Sequence, residues 1–538
     1  MRRWNGWGDD AVELRLEGEA RAFLGARLGR GTAPLDAGFE QVCAQLAPGR
    51  LPPHPLVDAS AAVRASHAVG QSLPDWLRLR YGRLGHVPDG VAFPESSAQV
   101  RELLAFAARH EAVVIPRGGG TSVAGQLDTS HSSQGGRRPV LSIDMGRMRA
   151  LISIDREAQL ACFGAGVAGP DLEAQLRTHG FTLGHYPQSF EYSTLGGWIA
   201  TRSSGQQSLR YGRIEGLFAG GRIETPSGTL DIPTFPASSS GIDLREMVLG
   251  SEGRLGILTH ASVRISRLPE HEAFHALFFA DWQHALLAAR ALAQARLGLS
   301  LLRLSNASET RTLLALATHP GRVAMLERYL GWRGCGAERC MLLVGASGYR
   351  AQVRDVLAAA LSLAQRQRAL QVPFASRALG EHWRRNRFRS SYLRNAAWAE
   401  GYAVDTVETA LDWPHVSGAV AAIEQAAAAA LEPFGERVHA YTHLSHLYPQ
   451  GASVYTTFVY RLAGSYDADL ARWRQLKDRV SSAIVACGGT ISHQHGVGVD
   501  HAPWLAAEKG ELGVGAMGAV FRHFDPEGRM NPGKLVTP

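Results

Sequence analysis

The chain has 538 residues, 45% hydrophobic and 20% charged, the balance of a soluble globular protein too long for one core, so two or three domains are expected. Its 56 basic and 49 acidic residues leave a net charge of +7 spread along the chain, with no long Lys/Arg tract or recognition module, which argues against a nucleic-acid partner. The five cysteines are odd in number and lack Cys-x-x-Cys spacing, fitting a reducing cytosol better than a disulfide framework, and no apolar signal core or membrane-spanning run is present.

Residues 1–85 read as a mainly helical segment, with helix-like stretches at 58–69 and 74–80 between Pro/Gly-rich connections. From about 86 to 268 short apolar strands alternate with turns and helices, and glycine is dense. A helix over 99–110 presents Val100, Leu103, Leu104, Phe106 and Ala107 on one side. Ala112-Val113-Val114-Ile115 then reads as a buried strand. It leads into Pro116-Arg-Gly-Gly-Gly-Thr-Ser-Val-Ala-Gly-Gln126. Three consecutive glycines cost backbone entropy, which a chain accepts at a sharp turn or where the backbone presses on a ligand. Free N–H groups in such a loop can form a nest for a pyrophosphate, although a plain strand-ending turn has the same composition. No Gly-Lys-Ser/Thr follows, so the loop is not a Walker A motif. Residues 128–138, rich in Ser and Gly, read as an exposed loop.

A formal G-x-G-x-x-G stands at Gly164, Gly166 and Gly169, after an apolar run and before a helix opening at Pro170, with Glu191 downstream. No run of βαβ units follows, which weakens a Rossmann reading. Two further segments, 184–215 and 250–259, are rich in glycine and hydroxyl residues beside apolar ones, a composition suited to wrapping a large flat cofactor. Residues 269–520 form a second large unit with long Ala/Leu/Arg helices, including an alanine-rich one at 419–431, and 521–538 form a polar, turn-rich tail.

Taken in this order, the three glycine-rich segments resemble the flavin-binding domain of the vanillyl-alcohol oxidase / p-cresol methylhydroxylase superfamily. The resemblance implies an α+β fold: an FAD-binding domain at 86–268 and a substrate-binding cap at 269–520 with an antiparallel sheet covered by helices. The tail returns to the flavin domain. It implies FAD held by Pro116, Arg117, Gly118, Gly119, Gly120, Thr121 and Ser122 at the pyrophosphate. Gln188, Ser189, Ser193, Thr194, Thr201, Arg202, Ser203 and Ser204, then Glu252, Gly253, Leu255, Gly256 and Ile257, flank the ribityl chain and ring. It also makes Gly164–Gly169 a loop of the same domain. Within the superfamily the chain is similar to the alkyldihydroxyacetonephosphate synthase (alkylglycerone-phosphate synthase) family over nearly its whole length. The match runs from Trp4-Asn-Gly-Trp-Gly8 through Ser193-Thr-Leu-Gly-Gly-Trp198, Gly250-Ser-Glu-Gly253, Tyr392-Leu-Arg394, Glu408-Thr409 and Tyr455 to Ser492-His-Gln-His-Gly-Val-Gly498.

His493 and His495 stand two apart, which on a strand puts both on one face and suits acid–base work. The family's cluster has three histidines where this chain has Gln494 in the middle, and strand alternation would turn Gln494 away. Tyr455 lies in a strand-like run and by resemblance is the catalytic tyrosine. The resemblance assigns Arg394 to a substrate phosphate, arginine being the natural bidentate partner of such a group. It assigns Arg303, whose apolar neighbours make it costly to bury without an anion, to a further substrate position, and His185 to the active site. Arg394 follows a basic run, Arg384, Arg385, Arg387 and Arg389, of the kind usually found on a solvated helix face. His443 and His446 are spaced for a metal, but no third ligand is evident and none is assigned.

The resemblance implies an enzyme that uses FAD without net oxidation, exchanging the acyl group of acyl-dihydroxyacetone phosphate for a long-chain alcohol in ether lipid synthesis. The alternative is an FAD-linked dehydrogenase or oxidase of a D-2-hydroxy acid or polyol phosphate, which the same histidines and flavin would serve. A bacterial-type cytoplasmic enzyme in peripheral contact with a membrane is expected. Oligomeric state stays open, a homodimer being one arrangement the sequence allows.

Overall fold

A computed structural model describes residues 2–16, 18–132, 136–316 and 320–536. Among these, a first sheet joins β1 (Val57–Asp58), β2 (Gly90–Ala92), β3 (Val113–Arg117) and β4 (Val140–Asp144) in the order β1-β2-β4-β3. β4 runs parallel to both β2 and β3. The helix Ser97–Arg109 provides the crossover between β2 and β3. Ser96 caps it by accepting the Gln99 N–H, and it buries Val100, Leu103, Leu104, Phe106 and Ala107, the face expected from their spacing.

A second sheet is antiparallel, in the order β5-β6-β10-β8-β9. It consists of β5 (Leu151–Asp155), β6 (Leu160–Gly164), β8 (Phe218–Thr225), β9 (Gly228–Ile232) and β10 (Ile257–Arg264), while β7 (Phe181–Thr182) pairs separately with β11 (Ser266–Arg267). The G-x-G-x-x-G segment therefore leaves an antiparallel strand, flanked by β5 and β10, and not the parallel βαβ unit of a Rossmann domain. Its glycines serve close packing: a Cβ on Gly164 or Gly166 would strike the carbonyl of Met148 or Met145. The helix that follows spans Gly169–Arg177.

A third sheet, antiparallel throughout, carries β12 (His271–Phe279), β13 (Leu301–Ser305), β14 (Cys340–Gly348), β15 (Leu370–Gln371), β16 (Tyr402–Asp412), β17 (His439–Leu447) and β18 (Gly451–Arg461) in the order β15-β12-β14-β13-β17-β18-β16. Side chains alternate across it. One face packs Leu302, Leu304, Leu342, Val344, Val454 and Phe458 into a core with the helices Trp282–Gln294, Arg350–Arg366, Trp413–Ala430 and Tyr466–Ala486. The residues between, Leu301, Arg303, Leu343, His443, Tyr455 and Thr457, face a cavity. The alanine-rich stretch is thus a packed helix, its small side chains buried against the sheet.

The segment 128–138 departs from the exposed loop expected of it. Asp128, Thr129 and Ser132 are buried, because a short helix at Thr129–Ser132 receives the C-terminal tail: Lys534 Nζ donates to Asp128 O and Ser132 Oγ. Residues 133–135 lie outside the described residues. Met530 bridges to Val114 of β3, and Asn531 Nδ2 donates to the carbonyls of Gln126 (3.1 Å) and Glu252 (2.8 Å).

Candidate functional site

One cavity of about 1160 Å³ runs between the glycine-rich segments and the open face of the third sheet, slightly above the roughly 300–1,000 Å³ usual for small-ligand sites. Of the cofactor positions expected from the sequence, all but Arg202 line it. Arg202 turns away, donating to Leu249 O at 3.1 Å and pairing with Glu246. Of the expected catalytic and substrate positions, Tyr455, His495, Arg394 and Arg303 line the cavity and His493 and His185 do not.

The glycine loop follows β3 directly. Gly120 is left-handed at φ +63°, and a Cβ on Gly119 would strike the Tyr192 carbonyl. Among the described residues, the backbone N–H groups of Gly119, Gly120, Thr121 and Ser122 donate to no protein acceptor. Four successive free donors facing a cavity match an anion such as a pyrophosphate. Arg117 does not add its charge there: its guanidinium donates to Val69 O (3.1 Å) and Ser66 O (3.2 Å), and burial lowers its pKa to about 10. It fixes the loop against the N-terminal segment. Gln126 ties the loop to the far histidines, donating to His495 O at 2.8 Å. Glu252, itself left-handed at φ +50°, accepts the N–H groups of Val497 (2.5 Å) and Gly498 (2.8 Å). Burial raises its pKa to about 7, against the pull of those N–H groups.

Residues 490–497 form no strand, so the expectation of His493 and His495 on one face fails, as does that of Gln494 pointing away. The chain bends through this segment, and Gln494 and His495 both reach the cavity. His493 is buried instead: its Nε2 lies 2.6 Å from Arg213 Nη1 and 2.7 Å from Tyr448 OH, and its ring stacks at 5.1 Å on His446, which does line the cavity. Burial and the neighbouring His446 hold His493 neutral, well below the usual histidine range. His185 is likewise enclosed, its ring 4.8 Å from Trp198 and its Nε2 3.3 Å from Ser203 Oγ, with burial lowering its pKa to about 3. Both histidines stand behind cavity-lining residues.

Tyr455 lies between two imidazoles. His443, its cross-strand partner on β17, stacks on it at 4.8 Å and 18°, and His495 meets it edge-on at 5.6 Å and 82°. Burial raises the Tyr455 phenol to about 12. Burial lowers His495 below the ordinary histidine value, partly opposed by Glu408. Across the other ladder Tyr455 faces Glu408, whose Oε1 accepts the backbone N–H of Gln494 (2.6 Å) and of His495 (2.5 Å).

Arg303 has its anion within the protein: Nη2 lies 2.8 Å from Glu309 Oε1, which is also 2.8 Å from His443 Nδ1. Arg303 and His443 outweigh burial and pull Glu309 down to about 2. The expected need for an outside anion at Arg303 is thereby removed. Arg394 differs. It donates to Gln71 O at 2.7 Å and lies 4.3 Å over the Trp76 ring, with no ion pair among the described residues. The N-terminal Trp4–Gly8 motif seats this stretch: Trp7 and Asn395 exchange hydrogen bonds of 3.1 and 2.8 Å.

Sequence reasoning passed over Glu309, Gln126 and Glu408 as site residues and considered His443 and His446 only as metal ligands. The pairing of Glu408 with the histidine loop joins positions 86 to 87 residues apart, which no local pattern reports. His446 Nδ1 lies 3.3 Å from Ser204 Oγ and 3.1 Å from Ser208 Oγ, and burial lowers it to about 3.

Comparison with known proteins gives the chain FAD as its cofactor. Residues 88–231 match the FAD binding domain family and 268–535 the C-terminal domain of FAD linked oxidases. The free donors of the glycine loop and the hydroxyls of the other two segments fit that dinucleotide. An alkyldihydroxyacetonephosphate synthase of Trypanosoma brucei brucei is 31% identical over 99% of this chain and 92% of its own. One of Dictyostelium discoideum is 31% identical over 90% of this chain and 79% of its own. A solved structure of an alkyldihydroxyacetonephosphate synthase superposes with a TM-score of 0.83 at 26% identity, covering 99% of this chain and 98% of the other.

Proposed function

The chain belongs to the alkyldihydroxyacetonephosphate synthase family, and on that premise we propose that it is an FAD-dependent ether-lipid synthase, exchanging the acyl group of acyl-dihydroxyacetone phosphate for a long-chain alcohol. The observation that carries this reading is the Arg394 guanidinium, which has no ion pair among the described residues, in the same cavity as the Tyr455–His495 contact: an anion receptor beside a proton donor and a proton acceptor. On this reading residues 86–268 hold the flavin, 269–520 cover it, and 521–538 return to it.

Bound at the glycine loop, FAD supplies the ring face over which the substrate carbon exchanges its oxygen substituent without net oxidation. Arg394 holds the phosphate. Tyr455, protonated across the neutral range, assists departure of the acyl oxygen, the C–O electron pair leaving with the carboxylate. His495, neutral at the same pH, accepts the proton given up by the incoming alcohol. His443 and Glu309 fix the Tyr455 ring from its other face, and His493 and His185 hold His446 and Ser203 in place. A lipid substrate also supports peripheral contact with a membrane surface; among the described residues no helix is long and apolar enough to cross one.

The test is to purify the yellow holoprotein and supply acyl-dihydroxyacetone phosphate with labelled fatty acid, without oxygen. Exchange of label is expected. Bleaching of the flavin by a D-2-hydroxy acid, with no label exchange, would establish the dehydrogenase alternative instead.

A further inference from the structure

Arg387 closes the helix Ser376–Asn386 and lines the cavity. Its Nε and Nη1 are shut off from solvent and meet no hydrogen-bond partner, and no carboxylate pairs with it among the described residues. Aromatic rings bracket it: its guanidinium carbon lies 4.5 Å from the Tyr186 ring centroid, 4.9 Å from Phe388 and 5.9 Å from Trp383, and Phe388 in turn stacks on Phe190 at 5.0 Å and 20°. Ring faces hold a guanidinium by its plane and take none of its N–H groups. A partly buried cation with two enclosed, idle donors is costly unless something anionic completes it. The remaining edge of a guanidinium suits a planar two-oxygen acceptor.

The surroundings specify which one. The same helix turns Ala375, Ala378, Leu379 and Trp383 to the cavity, beside Phe374. An anion at Arg387 therefore has an apolar wall running away from it. The exchange described above involves two anions, the retained phosphate and the carboxylate formed when the C–O bond breaks, and like charges do not share one cation comfortably. Among the described residues, five cavity-lining guanidiniums hydrogen-bond to no carboxylate: Arg117 is spent on the carbonyls of Ser66 and Val69, Arg322 and Arg389 are exposed, and Arg387 and Arg394 are the partly buried ones left to meet an anion.

We propose that Arg387 is the receiving site for the carboxylate of the fatty acid, its alkyl chain lying along the Leu379–Trp383 wall, with Arg394 left to the phosphate. The proposal rests on the exchange reaction, yet its test reads binding alone. The holoprotein is titrated with hexadecanoate and with hexadecan-1-ol, as wild type, Arg387→Met and Arg387→Lys, each checked for flavin content. Wild type binds the acid more tightly than the alcohol. Arg387→Met weakens the acid roughly ten- to a hundredfold and leaves the alcohol unchanged, and Arg387→Lys recovers part of the loss. Acid-selective binding lost in Arg387→Met supports the site even in a protein that shows no exchange. The site is overturned if acid and alcohol weaken equally, if the acid is unaffected while exchange proceeds, if the preference vanishes in Arg394→Met instead, or if Arg387→Met sheds its flavin.

Discussion

Glu408 stands directly across the β16/β18 ladder from Tyr455, and its Oε1 accepts the backbone N–H of His495 at 2.5 Å. One fully buried carboxylate thus sets the distance between the two groups proposed to move protons. Its partner strand carries the tyrosine, and its own oxygen holds the histidine loop. Glu408→Ala would leave the N–H groups of Gln494 and His495 without an acceptor and let the loop drift. A misplacement of about 1 Å costs on the order of a hundredfold in rate. We expect kcat to fall by about that much with KM and flavin content near wild type; an unchanged kcat would remove Glu408 from this role.

Tyr455→Phe keeps the ring between His443 and His495 and removes only the hydroxyl. Flavin retention and fold should be unaffected, and exchange should fall by roughly 10²–10⁴, the usual worth of a positioned proton donor. Comparable turnover in the variant would assign the proton to another group.

The pH profile follows from two opposite shifts. His495 must be neutral to accept a proton, and burial lowers its pKa below the ordinary value of 6.5. Activity is therefore lost as pH falls through a midpoint below 6.5. Tyr455 must be protonated to donate, and at about 12 it stays so, leaving no basic limb from this group at neutral or mildly alkaline pH. Glu408 raises the His495 pKa, so Glu408→Gln should move the acid limb of kcat/KM to still lower pH. An acid midpoint above 6.5 in the wild type would contradict the assignment of His495 as acceptor.

Gly119→Ala puts a Cβ against the Tyr192 carbonyl, which belongs to backbone and cannot swing aside. The loop must open, and the free N–H groups of 119–122 lose their alignment. The expected outcome is folded protein purified largely without flavin, read from the ratio of flavin to protein absorbance. Full flavin occupancy would show that the loop is not the anion cradle.

Asn531→Ala strips the carbonyls of Gln126 and Glu252 of a buried donor, at about 1–3 kcal/mol. Because those two residues belong to the first and third cofactor segments, flavin affinity should weaken roughly tenfold, measured by dilution of the holoprotein. Unchanged affinity would make the tail a passive cover.

The amino-acid order by itself determined what depends on neighbours in the chain. The strand before Pro116, the glycine loop, the amphipathic helix read over 99–110 (Ser97–Arg109 in the structure) and the strand-like run around Tyr455 are set by periodicity, by β-branched and aromatic side chains and by backbone freedom at glycine, which act over a few residues. Only the tertiary structure decided which imidazole meets the cavity. His493 and His495 differ by two positions, but the segment is pinned by Glu408 of β16 and by Glu252 in the turn before β10, and that anchoring overrides the alternation a free strand would show. The same holds for the arginines: Arg303, Arg387 and Arg394 look alike in sequence, and their roles separate once Glu309 is folded against the first and aromatic rings against the others. Register between antiparallel strands and burial of charge are long-range properties, so the partners that tune each group appear only when remote segments pack together.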